Sequence, residues 1–125
     1  DWVQSNKSFR FEVHVSNLSD VELGALLWLL DLLPDQQGNT VYFHRLGGGK
    51  PLGFGSVALQ VEWEQTELGK GQDWATYYNG LDEDKAPATD LSKVKERIEE
   101  FKKAVKKAYG GNRFEDVPFI AAFLR

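Results

Sequence analysis

The feature that most constrains the fold of this sequence is a run of five glycines within nine positions, Gly47 to Gly55. Glycine has no Cβ and takes positive φ readily, so the backbone here can turn tightly and lie close to another surface. Strand-like runs flank the glycines on both sides. We therefore expect a β-hairpin whose turn carries the glycines.

The chemistry of this turn favours an anionic ligand. Consecutive glycines leave their N–H groups free to form an anion-binding nest, and Arg45 and Lys50 supply two cations. A Walker-type phosphate loop is excluded because Pro51 follows Lys50 where Ser or Thr is needed. Residues 53–58 spell a dinucleotide-type GxGxxA, but a strand pattern follows instead of the required helix.

Composition limits the class of protein. The chain has 125 residues, which suits one domain over residues 1–125 with its own core. It has no cysteine, hence no disulfide and no thiolate metal site, and we expect neither a metal nor a cofactor. It has no methionine and begins at Asp1, so we expect a domain cut from a longer protein. A net charge of −4 means that any contact with nucleic acid must be local to one basic edge or shared with other domains. No targeting segment is visible, and no apolar run approaches the ~20 residues of a membrane span.

Two amphipathic or apolar stretches predict helices. Ser19 and Glu22 have the spacing of a capping box at the start of a helix that ends near Leu33, before Pro34. This helix of residues 21–33 is apolar around nearly its whole circumference, so we expect a second layer or a partner to pack on it. A second long helix is predicted from Asp90 to the glycines at 110–111, and short helices are predicted within residues 73–78 and 114–124.

Three runs predict strands. Residues 9–15 alternate apolar and polar side chains, and residues 41–46 and 56–64 flank the glycine turn. The resulting order is strand, helix, strand, strand, helix. This order predicts an α+β, ferredoxin-like fold (βαββα, RRM-like) that lacks its last strand.

Residues 9–19, 20–27 and 46–57 together resemble the RAMP superfamily, the RNA-binding subunits of CRISPR effector complexes. The third stretch is similar to the glycine-rich signature of the type III backbone subunits. The resemblance implies a ferredoxin-like fold, binding of CRISPR RNA or target RNA, assembly with other effector subunits, cytoplasmic location and antiviral defence. The resemblance places the RNA-proximal loop at residues Gly47, Gly48, Gly49, Lys50, Gly53 and Gly55, and Arg45 is a further candidate contact.

Two other functions remain open. Some relatives cleave RNA, so a metal-independent endoribonuclease would use His14 or His44 as general acid and base. No position matches the family's cleaving aspartate, and His14 does not lie in the context of the family's processing histidine. The other possibility is an assembly domain whose glycine turn is purely architectural. We favour a non-catalytic RNA-binding domain.

Overall fold

The computed structural model describes residues 3–32, 42–80 and 89–125. Within these ranges the chain forms four α-helices and one two-stranded antiparallel sheet. In chain order these elements are α1 (Asp20–Leu30), β1 (His44–Arg45), β2 (Ser56–Val57), α2 (Gly71–Asn79), α3 (Leu91–Tyr109) and α4 (Pro118–Phe123). Short 3₁₀-helices lie at Lys50–Leu52, Trp63–Gln65 and Phe114–Asp116.

The predicted ferredoxin-like fold is wrong. The described part of the chain is mostly helical, and β1 and β2 are its only paired strands. Residues 9–15 form no strand, and the run predicted over residues 56–64 pairs only at Ser56–Val57 before a 3₁₀-helix begins at Trp63. Alternation of apolar and polar residues favours an extended backbone, but a strand also needs a neighbour to accept its hydrogen bonds. Within the described ranges residues 9–15 have no such neighbour, and their apolar side chains remain exposed.

The start of α1 is confirmed as a capping box. The N–H of Glu22 donates to Ser19 Oγ at 3.2 Å, and the N–H of Ser19 donates to Glu22 Oε2 at 2.7 Å. Hydrogen bonding from the Ser19 N–H, and secondly from the Ser19 hydroxyl, lowers the pKa of the Glu22 carboxyl because it stabilises the charged form. The helix ends at Leu30 with Asp31 as its C-cap, so it is shorter than the predicted helix to about Leu33; Leu33 and Pro34 themselves lie outside the described residues.

The remaining predicted helices are also confirmed. The Asp90 side chain accepts a hydrogen bond from the N–H of Ser92 at the start of α3. At the other end Gly110 has φ +74°, and its N–H donates to the carbonyl of Lys106. This positive φ, which glycine takes more readily than any other residue, is why a glycine follows the last helical residue. Helix α2 contains the predicted residues 73–78, and α4 lies within the predicted residues 114–124.

The core is built where α1 crosses α3. Gly24 is buried at the crossing, where a Cβ would lie only 2.1 Å from the carbonyl oxygen of Arg97. This close approach brings Trp28 against α3, with its ring centroid 5.8 Å from that of Phe101 and 5.2 Å from that of Phe114. Buried residues of the C-terminal elements complete this cluster: Phe114, Val117 and Ile120.

We expect Gly24→Ala to destabilise the protein by about 1–3 kcal/mol, because the added methyl group overlaps backbone that has no room to move away. The measurement is the free energy of unfolding in urea. Gly71→Ala is the matched control, since its Cβ would meet no atom within 4 Å. Helix propensity favours alanine at both positions, so equal stability of the two variants would contradict a tight crossing.

Candidate nucleic-acid interface

The glycine loop, defined here as residues 46–55, connects β1 to β2. The two strands pair with His44 opposite Val57 and Arg45 opposite Ser56. The N–H of Leu46 extends this pairing by donating to the carbonyl of Gly55 at 2.8 Å. The predicted hairpin around the glycine turn is therefore confirmed, although its strands are only two residues long.

The second half of the loop is held by its own backbone. Residues Lys50–Leu52 form a 3₁₀-helix with Pro51 in its first turn, where the missing N–H costs nothing. The N–H of Leu52 donates to the carbonyl of Gly49, and the N–H of Gly53 donates to the carbonyl of Lys50, both at 3.0 Å. Gly53 has φ +82°, which closes the turn. These bonds give the loop a defined shape without help from the rest of the chain.

The first half of the loop presents unused backbone donors. Among the residues that the structure describes, none accepts a hydrogen bond from the N–H groups of Gly47, Gly48 or Gly49. A Cβ built on Gly47 or Gly48 would meet no atom within 4 Å. The two glycines therefore lie on an open surface, and a ligand can reach the backbone without meeting a side chain.

Gly55 has a different role from Gly47 and Gly48. It has φ +83°, and a Cβ at this position would lie 2.0 Å from the carbonyl oxygen of Leu46. A side chain there would break the backbone hydrogen bond that closes the hairpin. Gly55 is thus required by the architecture of the turn, a distinction that the sequence pattern did not reveal.

Two exposed cations flank the unused donors. Arg45 lies on β1 and Lys50 lies at the start of the 3₁₀-helix. Neither forms an ion pair with a carboxylate in the described ranges. Apolar side chains of the same loop are also exposed: Leu46, Leu52 and Phe54. The loop can therefore offer N–H groups, positive charge and apolar contact to one ligand.

The two candidate histidines have separate surroundings. His14 lies in the irregular N-terminal part of the chain, with Nε2 3.4 Å from the Glu12 carboxylate and both side chains over 80% exposed. His44 lies on β1, half-buried, with its ring centroid 6.5 Å from that of Phe123. No contact between the two rings is present, and the structure gives no acid–base pair built from them. Over residues 3–32, 42–80 and 89–125, no three His, Cys, Asp or Glu side chains are grouped to hold a metal ion.

Helix α2 carries three aromatic residues whose contacts the sequence pattern does not assign, Trp74, Tyr77 and Tyr78. The structure brings them together on one side of that helix. The ring centroid of Tyr78 lies 5.2 Å from that of Tyr77 and 6.1 Å from that of Trp74. Their spacing of three and four residues is the signal that could have predicted this cluster.

Comparison with known proteins adds no assignment. No protein-family model matches this chain, and no curated protein matches it in sequence. Within the described part of the chain, no helix has both the length and the apolar character needed to cross a membrane. The observations that bear on function are therefore the geometry of the glycine loop and the resemblance of residues 46–57 to the RAMP glycine-rich signature.

We expect Gly55→Ala to open the hairpin and Gly48→Ala to leave it intact. The first substitution places a methyl group against the Leu46 carbonyl at a strained positive φ, whereas the second enters open space at an ordinary φ. The measurement is hydrogen exchange at the Leu46 amide, which donates to Gly55. Loss of protection only in Gly55→Ala is the expected result, and equal protection in both variants would contradict the closing role of Gly55.

Proposed function

We propose that this chain is a non-catalytic RNA-binding domain of a CRISPR-associated RAMP protein, acting in antiviral defence in the cytoplasm. The observation that carries the proposal is the set of unused N–H groups of Gly47, Gly48 and Gly49 beside Lys50, with Gly47 and Gly48 on an open surface. The resemblance of residues 46–57 to the glycine-rich signature of that superfamily supports the same function. The ligand is CRISPR RNA or target RNA.

The mechanism is positional. The phosphate and sugar groups of the RNA approach the bare backbone of Gly47 and Gly48, where no side chain blocks them. The N–H groups donate to phosphate oxygens, and such charge-assisted hydrogen bonds are about twice as strong as neutral ones. Lys50 adds the Coulomb attraction of a point charge, and Arg45 provides a second donor group beside the strand.

The net charge of the chain limits how much affinity for RNA this mechanism can supply. At a net charge of −4, the domain gains no long-range attraction to a polyanion. Binding then depends on the few contacts of the glycine loop, and the other subunits of an effector complex supply the rest of the affinity. Those subunits would pack on the apolar helix α1, where Val21 and Leu29 are exposed.

A second candidate is an assembly domain without RNA contact. The observation that favours it is the architectural requirement for glycine at position 55, which needs no ligand to explain it. This function predicts that RNA binding does not depend on Lys50 or Gly48. The experiment below therefore separates the two candidates.

We expect Gly48→Val to weaken binding to single-stranded RNA by about tenfold or more. The valine side chain blocks the approach of the phosphate to the backbone N–H, and losing one hydrogen bond to a charged group costs about 1.5–3 kcal/mol. Lys50→Glu should weaken binding as well and lower the slope of log K against log salt by about 0.7, the value for one phosphate contact with a single strand. The measurements are crosslinking and a salt titration with fluorescent RNA.

Lys95→Glu is the matched control for Lys50→Glu. It makes the same charge change at an exposed lysine of α3, far from the glycine loop in sequence. Lys95→Glu should lower the affinity less than Lys50→Glu does. If both lysine variants and Gly48→Val bind RNA as well as the parent protein, the glycine loop is architectural and the RNA-binding proposal fails.

A further inference from the structure

A stretch of exposed apolar side chains lies in residues 9–15, called the N-terminal segment below. Phe9 is 78% exposed, Phe11 63%, Val13 49% and Val15 40%. No backbone N–H or C=O of the segment bonds to other backbone in the described ranges. A segment with free backbone groups and an apolar face is a template for pairing with another strand.

The segment has two distinct faces when its backbone is extended. Phe9, Phe11 and Val13 fall on one face, while Arg10 and Glu12 fall on the other. Any partner strand must therefore place apolar residues opposite the first face and compatible charges opposite the second. The order of residues 9–13 satisfies both conditions with a copy of itself.

We propose that residues 9–13 pair with the same residues of a second copy of this chain, as antiparallel strands centred on Phe11. In this register Phe11 lies opposite Phe11, and Phe9 lies opposite Val13 of the other copy. Arg10 lies opposite Glu12 twice, once on each side of the two-fold axis. Opposite charges in directly facing positions stabilise a strand pair, and facing aromatic residues do the same.

The charges select this register over its neighbours. Centring the pair on Glu12 would place the two Glu12 carboxylates opposite each other, and centring it on Arg10 would do the same with the two guanidinium groups. A shift to a centre between residues would place a charged side chain opposite an apolar one. Of these neighbouring registers, only the one centred on Phe11 matches both faces.

The contacts that these charged residues make within one chain do not prevent the pairing. Arg10 Nη2 lies 2.9 Å from Glu62 Oε1, with the two side chains 68% and 51% exposed. Glu12 lies beside His14, which is almost fully exposed. Ion pairs on an open surface contribute little to stability, so Arg10 and Glu12 can exchange these partners for each other across the two-fold axis.

The first test measures the oligomeric state of charge-reversed variants by analytical ultracentrifugation of the purified protein. Arg10→Glu places like charges opposite each other twice, and so does Glu12→Arg. Each variant alone should raise the dimer dissociation constant by about tenfold or more, since two cross-strand pairs change from attraction to repulsion. An equimolar mixture of the two variants should restore the dimer, because each negative position then faces a positive one. Glu62→Gln removes only the contact within the chain and should dimerise like the parent.

A parent protein that is monomeric throughout the micromolar range would overturn the proposal, and so would a mixture that stays monomeric. In the first case the partner of the segment would be a different protein. Recovery in the mixture also shows that neither variant has failed to fold.

The second test fixes the register, using the absence of cysteine from this sequence. Directly opposite residues have Cβ atoms about 5 Å apart, which is close to the separation in a disulfide. Phe11→Cys should therefore form a covalent dimer on mild oxidation. Val13→Cys is the matched control, because residue 13 lies about 13 Å along the strand from its own copy in this register. Equal crosslinking of the two variants, or crosslinking of Val13→Cys alone, would overturn the register.

Discussion

The close crossing of α1 over α3 is the contact on which the helical core of the structure depends. Because Gly24 has no side chain, the backbone of α1 can pack closely on α3. A Cβ at residue 24 would lie only 2.1 Å from the carbonyl oxygen of Arg97. That approach places Trp28 edge-on against Phe114 and beside Phe101, so the C-terminal elements join the same core. Arg97 Nε also lies 3.4 Å from Asp20 Oδ1, which adds a polar contact at the start of α1. A core made by two crossing helices does not need a sheet. The alternating apolar residues 9–15, which predict a strand, therefore form none in this core.

The parts of the fold that the sequence predicts correctly are governed by neighbours along the chain. The capping box of Ser19 and Glu22 needs residues three apart, and Asp90 caps α3 through the N–H of Ser92. Gly110 ends α3 because its own φ is positive. The hairpin around the glycine loop is equally local, since Leu46 and Gly55 are joined by the turn between them. In each case the residue type and its spacing determine the geometry.

The parts that the sequence does not predict depend on distant segments. A strand at residues 9–15 would need hydrogen bonds from a second strand, and alternation does not identify that partner. Likewise, nothing in the pattern around Gly24 shows that Arg97 will be its neighbour, because 72 intervening residues separate the two positions. The predicted site likewise has features that the sequence identifies and features that only the structure shows. Composition and spacing identify the glycines and Lys50, but only the structure distinguishes the open Gly47 and Gly48 from Gly55, which closes the turn.

The glycine loop and the N-terminal segment both present unused backbone groups, but their side chains suit them to different ligands. Gly47 and Gly48 add no atoms beyond the backbone, so an approaching ligand must bring its own charge and shape, as a phosphate does. Around Phe11, each backbone group is flanked by large apolar side chains that are exposed to water. Burying those side chains requires a ligand with an apolar face and its own backbone donors and acceptors, and a β-strand has both. Two sites with the same hydrogen-bonding groups are therefore distinguished by what surrounds those groups. The absence of side chains favours a polyanion, and alternating side chains favour a second strand.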